Sequence, residues 1–494
     1  MKLLSNDYNR TTGLYLIIST LWLILGVAIR VVNEIQMITF MPGPDSYFSY
    51  GYLRPVGSNL LIFGGLLGYF FALGYQIINE RASSKVDLAG LAALGAHQTA
   101  LLFGVLTIFA GYNTGREYGE LNWIADNLMM LVFTVFLVLL LIALWGKEDL
   151  KSYEKMAAAT IGGMLLFYFL GNFGMPNGLL VTTAPTSGAQ DALVAEMYRN
   201  AVLTFFILFP LFTMGYYWLE KHYELPVFSE ATVHFQIVAG AALVPLAAGG
   251  ALLGTADAKV LQYIGTGAAL ALTMSLLGGV ANIHYSLSRS GKIVSSDQDG
   301  KALRWGLILV GIYLSVRFIL QIPLIGSNFR YMAWNNQDLY SLASTAVLPL
   351  ALASAYLLLG YWKKASTPSA LKSFGNFFLY TGIITFLAAA LIQGWIQAFA
   401  ASSLTGEGAE KALENPAWAQ VLFAGSLETE VGKDALFSYL YSVYGFVLLG
   451  LVMTLIGSVA GIIAVFAGLS GKSAAYSRPS VVTEAPVTRS AESH

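Results

Sequence analysis

The chain has 494 residues, of which 56% are hydrophobic and 11% charged, a balance too apolar for a soluble protein of that size. Its 27 basic and 28 acidic residues leave a net charge of -1, so no electrostatic case exists for a nucleic-acid partner. No cysteine is present, which excludes disulfides, iron–sulfur clusters and thiolate-bound metals together. What remains is an all-α integral membrane protein in contact with lipid. Its 9 Trp, 27 Tyr and 29 Phe suit interfacial belts and core packing, and its 50 Gly suit close helix contacts.

In chain order, the first apolar run is Leu14 to Ile29. It is too long for a signal peptide and lacks a small-residue cleavage site, so it reads as the first span. Further runs long enough to cross a bilayer as helices fall near 59–79, 88–111, 123–146, 155–175, 197–219, 231–253, 261–284, 303–325, 340–362, 374–400 and 436–468. This predicts a twelve-helix membrane domain over 1–469. The remainder, 470–494, is rich in Ser, Ala, Val and Pro and reads as a disordered tail.

Of the 27 Lys and Arg, 18 fall at the two ends of the chain or in alternate loops, among them Arg81, Lys151, Lys221, Arg289 and Lys364. The positive-inside rule places that side, and both termini with it, in the cytoplasm. The opposite loops, near 34–57, 112–122, 176–196, 323–339 and 401–435, hold few basic residues. The last of them carries Glu407, Glu410, Glu414, Glu428, Glu430 and Asp434 against Lys411 and Lys433. It reads either as a solvated amphipathic helix or as a docking face for a basic protein such as a c-type cytochrome.

Four stretches carry a more specific signal. Tyr50 to Asn59 reads YGYLRPVGSN, with Arg54, Pro55 and Asn59 in the pattern LRPxHTN; Gly115 to Asp126 reads GREYGELNWIAD, with Glu117, Glu120 and Asp126. Gly188 to Val194 reads GAQDALV, with Gln190 and Asp191, and Pro226 to Phe235 reads PVFSEATVHF, with His234. In this order, and from Tyr50 to about Tyr361, the chain resembles the catalytic subunit (subunit I) of cbb-type cytochrome c oxidases of the heme-copper superfamily. The resemblance implies that family's twelve-transmembrane-helix bundle and a bacterial inner-membrane location. It also implies glutamates set near heme propionates and a cation, with other membrane subunits and a c-type cytochrome as partners.

The same anchors locate the family's metal ligands. The low-spin heme histidine of LRPxHTN falls on Gly57, and the copper histidine of YGHNAV falls on Arg199 in YRNAV. Counting from His234, the adjacent copper histidines fall on Ala248 and Gly249, and the cross-linked tyrosine on Ala242. Through Tyr331 and Trp334, RYMAWNNQDLY matches HYxxWxxGHVH and places Asp338 and Tyr340 at two heme-ligand positions; Gln321 stands for the glutamate of FEGP. The family has histidine at all six positions, and here none is histidine.

The chain's histidines are His97, His222, His234, His284 and His494. Imidazole is the ordinary ligand of copper and heme iron, so the expectation is a chain without heme, without metal and without catalytic residues. Such a chain serves as a membrane scaffold or anchoring subunit of a respiratory electron-transfer complex. The alternative is an oxidoreductase acting on oxygen or nitric oxide, with heme b held by rebuilt ligation through Tyr340 and His97 or His234. Arg199 is expected to pair with Asp338, or otherwise with Glu196 or Glu120, since a lone guanidinium in a bilayer is costly. Arg30, Arg54 and Arg330 read as interfacial snorkelling residues.

Overall fold

The structure, a computed structural model, describes residues 10–39, 48–82, 87–178, 180–183, 185–252, 259–289, 297–326, 343–363, 367–403 and 430–469. Among these, the apolar runs form twelve helices. They are α1 (Arg10–Thr39), α2 (Tyr50–Arg81), α3 (Asp87–Phe109), α4 (Trp123–Leu144), α5 (Ser152–Asn172) and α6 (Gly188–His222). They continue with α7 (Glu230–Ala247), α8 (Lys259–Ser288), α9 (Gln298–Gln321), α10 (Leu348–Lys363), α11 (Ser369–Ser403) and α12 (Glu430–Leu469). Ten of these are long and apolar enough to cross a membrane, and α5 and the shorter α10 complete the bundle. A short hairpin, β1 (Met175–Pro176) and β2 (Thr182–Thr183), lies between α5 and α6, with Met175 opposite Thr183.

Helix starts follow local chemistry. The Asn122 side chain accepts from the N–H groups of Ile124 and Ala125 at the head of α4, and Asp297 does the same for Asp299 and Gly300 at α9. These caps satisfy donors that the first turn leaves without partners. At α5, Glu154 reaches back to accept from the Lys151 N–H at 2.8 Å.

The bundle is built around α2 and α6, whose apolar windows are 94% and 100% buried. A helix that is apolar on every side belongs inside, and these two carry the aromatic core. The Phe63 ring lies edge-on to Tyr168 and Phe206, Phe133 lies edge-on to Tyr168 at 5.3 Å, and Phe167 stacks on Phe205 at 5.2 Å. Edge-to-face pairs of this kind add on the order of 1 kcal/mol each beyond area burial. Around this centre the helices close on small residues. A Cβ at Gly26 of α1 would lie 2.8 Å from the Leu61 backbone of α2, and one at Gly457 of α12 would lie 2.6 Å from the Leu379 nitrogen of α11.

Charged pairs sort to the two ends of the bundle. At the basic end, Arg81 pairs with the buried Glu154, Lys221 with Glu80 at 3.1 Å, and Lys372 with Asp299 at 2.8 Å. A polar vestibule of about 640 Å³ opens there, lined by residues that include Glu80, Arg81, Glu220 and Lys221. The opposite end carries the loop 110–122 and the short hairpin between α5 and α6.

One expectation is corrected in α1. Arg30 does not snorkel to an interface: it is 2% exposed, donates to the Thr345 hydroxyl and lies over the Phe386 ring at 4.6 Å. Its charge is held inside by α11 and the turn before α10, contacts more than 300 residues away in sequence. Arg54 is half-buried and paired with Glu117. Arg330 lies outside the described residues.

Candidate functional site: a polar network of the motif residues

Pro55 begins the network from within α2. Its carbonyl accepts from the Ser58 hydroxyl at 2.9 Å and from the Asn59 amide at 2.8 Å, and the same Asn59 amide donates to Glu120 Oε2 at 3.0 Å. Glu120 belongs to the loop that leads into α4 and is 7% exposed. Burial raises its carboxyl to about 7, against the hydrogen bonds from the Tyr118 and Glu120 backbone and from Asn59 that favour the charged form. Tyr118 in the same loop takes a left-handed backbone at φ 65°, and its phenol is turned inside, where burial pushes its titration upward.

Arg116 ties this loop to the neighbouring helices. Its guanidinium donates to the Gly171 carbonyl at 2.7 Å, to the Thr186 hydroxyl at 3.2 Å and to Asp191, which also accepts from Thr186 at 3.0 Å. The end of α5, the hairpin connection and the first turn of α6 are therefore fixed by one side chain. Asp126, one turn into α4, accepts from the Tyr168 hydroxyl at 2.7 Å. Of the motif residues expected from the sequence, Arg54, Pro55, Asn59, Glu117, Glu120, Asp126 and Asp191 all enter hydrogen bonds or ion pairs of this network. Gln190 and His234 are exposed and take no part. The sequence reading did not single out Arg116, whose role rests on partners 55 to 75 residues away.

Four of the six positions matched to the family's ligands fall among the described residues. Gly57 is buried in α2, three residues before a π-helical segment, Leu60–Leu66; Arg199 stands three residues before a second one, Val202–Leu208, in α6. Such wide turns are rare and recur at functional sites. No periodicity in the sequence announces them. Arg199 Nη1 lies 3.8 Å from Glu196 Oε2 on its own helix. Asp338 and Tyr340 lie outside the described residues. Ala248 and Gly249 sit in a 3-10 turn, Ala248–Leu252, that ends α7 against α8.

Gly57, Arg199, Ala248 and Gly249 do not fit a heme or copper ion held in the family's way. Gly57, Ala248 and Gly249 offer no donor atom, and Arg199 offers a cation that repels metal. His97 is buried with Nε2 3.1 Å from the Phe63 carbonyl and its ring edge-on to Phe71 at 5.3 Å, a packed and hydrogen-bonded position. Among the described residues, no three His, Cys, Asp or Glu side chains are grouped to hold a metal ion.

The arrangement of helices is that of a heme-copper oxidase subunit I. It matches a solved heme-copper terminal oxidase dimer with a TM-score of 0.68, at 10% identity, over 97% of this chain and 86% of that one. In sequence the chain resembles subunit I of the cbb-type cytochrome c oxidases. It is 24% identical over 409 residues to the cbb3-type cytochrome c oxidase subunit CcoN1 of Stutzerimonas stutzeri, covering 80% of this chain and 85% of that protein. It is 25% identical over 400 residues to a cytochrome c oxidase subunit 1 homolog of Azorhizobium caulinodans, covering 77% and 71%. No family model matches the chain.

Proposed function

We propose that this chain is a cofactor-free, non-catalytic relative of cbb-type oxidase subunit I that acts as a membrane scaffold, anchoring partner subunits of a respiratory electron-transfer complex. One observation carries the reading. Seven of the nine motif residues join one polar network, while four of the six positions matched to the family's ligand histidines hold Gly57, Arg199, Ala248 and Gly249, whose side chains cannot ligate iron or copper in place of imidazole. The helix arrangement supports an assembly role, and these four residues speak against the family's donor set. On this reading the chain resides in a bacterial inner membrane with both termini in the cytoplasm, and its partners include a c-type cytochrome.

The test is purification of the tagged chain from its native membrane in mild detergent, followed by heme staining after denaturing electrophoresis and a reduced-minus-oxidised spectrum. Covalent heme on co-purifying smaller polypeptides, with no b-type band, is the expected result. A chain that purifies alone contradicts the scaffold role. A b-type band with oxygen or nitric oxide consumption establishes the rebuilt oxidoreductase instead.

A further inference from the structure

The end of α7, where Ala248 and Gly249 match the family's adjacent copper histidines, is built on close backbone contact. Pro245 sits inside the helix, removing a backbone donor from its last turn. The chain then tightens into the 3-10 turn Ala248–Leu252. That turn rests on α8 backbone against backbone. A Cβ at Gly265 would lie 2.2 Å from the Gly250 nitrogen and 2.3 Å from the Gly249 carbonyl carbon, and a Cβ at Gly249 would lie 2.5 Å from the Leu261 carbonyl oxygen. Nonbonded carbon atoms sit best at about 3.5–4.0 Å, and the atoms met here belong to the backbone and have no rotamer to change. Gly249 therefore has no room for any side chain, and neither does Gly265.

We propose that Gly249, Gly250 and Gly265 form a backbone lock that clasps the outer end of α7 onto α8, so that the absence of the adjacent copper pair is built into the main chain. On the reading given under Proposed function, this lock is what closed the copper side of the former site. Replacing side chains alone does not reopen it, because an imidazole at position 249 has to displace α8 before it can face the bundle. The lock also removes any need for a metal to hold α7 in place.

Two alanine substitutions on α8 test the lock without reference to metal. Gly265→Ala puts a methyl group into the Gly249–Gly250 backbone, whereas Gly267→Ala, two residues on, meets nothing within 4 Å. Thermal unfolding of the full chain in detergent should show a clear fall in Tm for Gly265→Ala. Gly267→Ala should leave Tm unchanged or raised, since alanine is the better helix former. Equal behaviour of the two variants overturns the lock.

Histidine restoration is the second arm. Arg199→His/Ala248→His/Gly249→His, loaded with copper and measured by metal analysis, should bind no more copper than the parent and should melt earlier. Stoichiometric copper gained with an unchanged Tm also overturns the lock. If the triple variant fails to fold, the alanine pair still decides. Copper or heme in the unmodified chain, by contrast, contradicts the cofactor-free reading and leaves the alanine comparison intact.

Discussion

Between about pH 4.5 and 7, Glu120 is more protonated in the folded protein than in the unfolded chain. Its carboxyl titrates near 7 when buried against an ordinary value of 4.5. The folded state therefore binds more protons across that interval, and stability falls as pH rises through it. The contribution is complete below about 4.5 and lost by about 7. Glu120→Gln should keep the hydrogen bond to Asn59 and remove the titration. The Tm difference between variant and parent in detergent should then grow in the variant's favour from about pH 4.5 to 7. A difference that is constant over this range contradicts the burial of Glu120. Exposure likewise ranks the ion pairs. Arg54 and Glu117 keep about a third of their side-chain surface, so their pair contributes about 1 kcal/mol or less. Lys372 and Asp299 are each 9% exposed and bound by both carboxylate oxygens at 2.8 and 3.0 Å. Lys372→Leu alone should cost on the order of 3 to 5 kcal/mol by stranding Asp299, and adding Asp299→Leu should recover much of it. Additive losses in the four-protein cycle would show that the two are not coupled.

At the scale of elements, the helices were legible wherever apolar runs were long enough to cross a bilayer, and their ends were not. The apolar run near 59 in fact belongs to a helix that starts at Tyr50. Its first turns contain Arg54 and Asn59, whose polarity is matched by Glu117 and Glu120 from another loop, a pairing that hydropathy along the chain does not register. Arg30 was misread for the same reason, because its partners Thr345 and Phe386 come from the far end of the sequence. The packing of α11 on α12 also had a hidden basis. Gly375 and Gly382 face Gly457 and Gly450, pairs spaced by one heptad on each helix, and the Gly450 Cβ position lies 2.6 Å from the Phe386 nitrogen. Gly457→Ala should lower Tm by forcing the two helices apart, while Gly445→Ala, which meets nothing within 4 Å, should not. Equal melting of the two variants would contradict a backbone contact between α11 and α12.

For the whole molecule, the asymmetry of basic residues predicts an orientation. Reporter fusions at Gly291 and Gly406 should report opposite compartments, with Gly291 in the cytoplasm. The same compartment for both would undo the alternation of twelve spans. The proposed ligand-matched site was legible only as a set of positions, because motif spacing carries over even where the residue has changed. It was not legible as a space, since the π-helical turns after Gly57 and Arg199 and the clasp at Gly249 depend on how helices meet. On the proposed function, this chain keeps a subunit I bundle without its redox centres. The most direct measurement is a pyridine hemochrome assay with metal analysis on the purified chain after all partner subunits are stripped away. Heme b and copper far below one per chain are predicted, whereas a heme that survives this treatment at stoichiometric amounts would contradict the account.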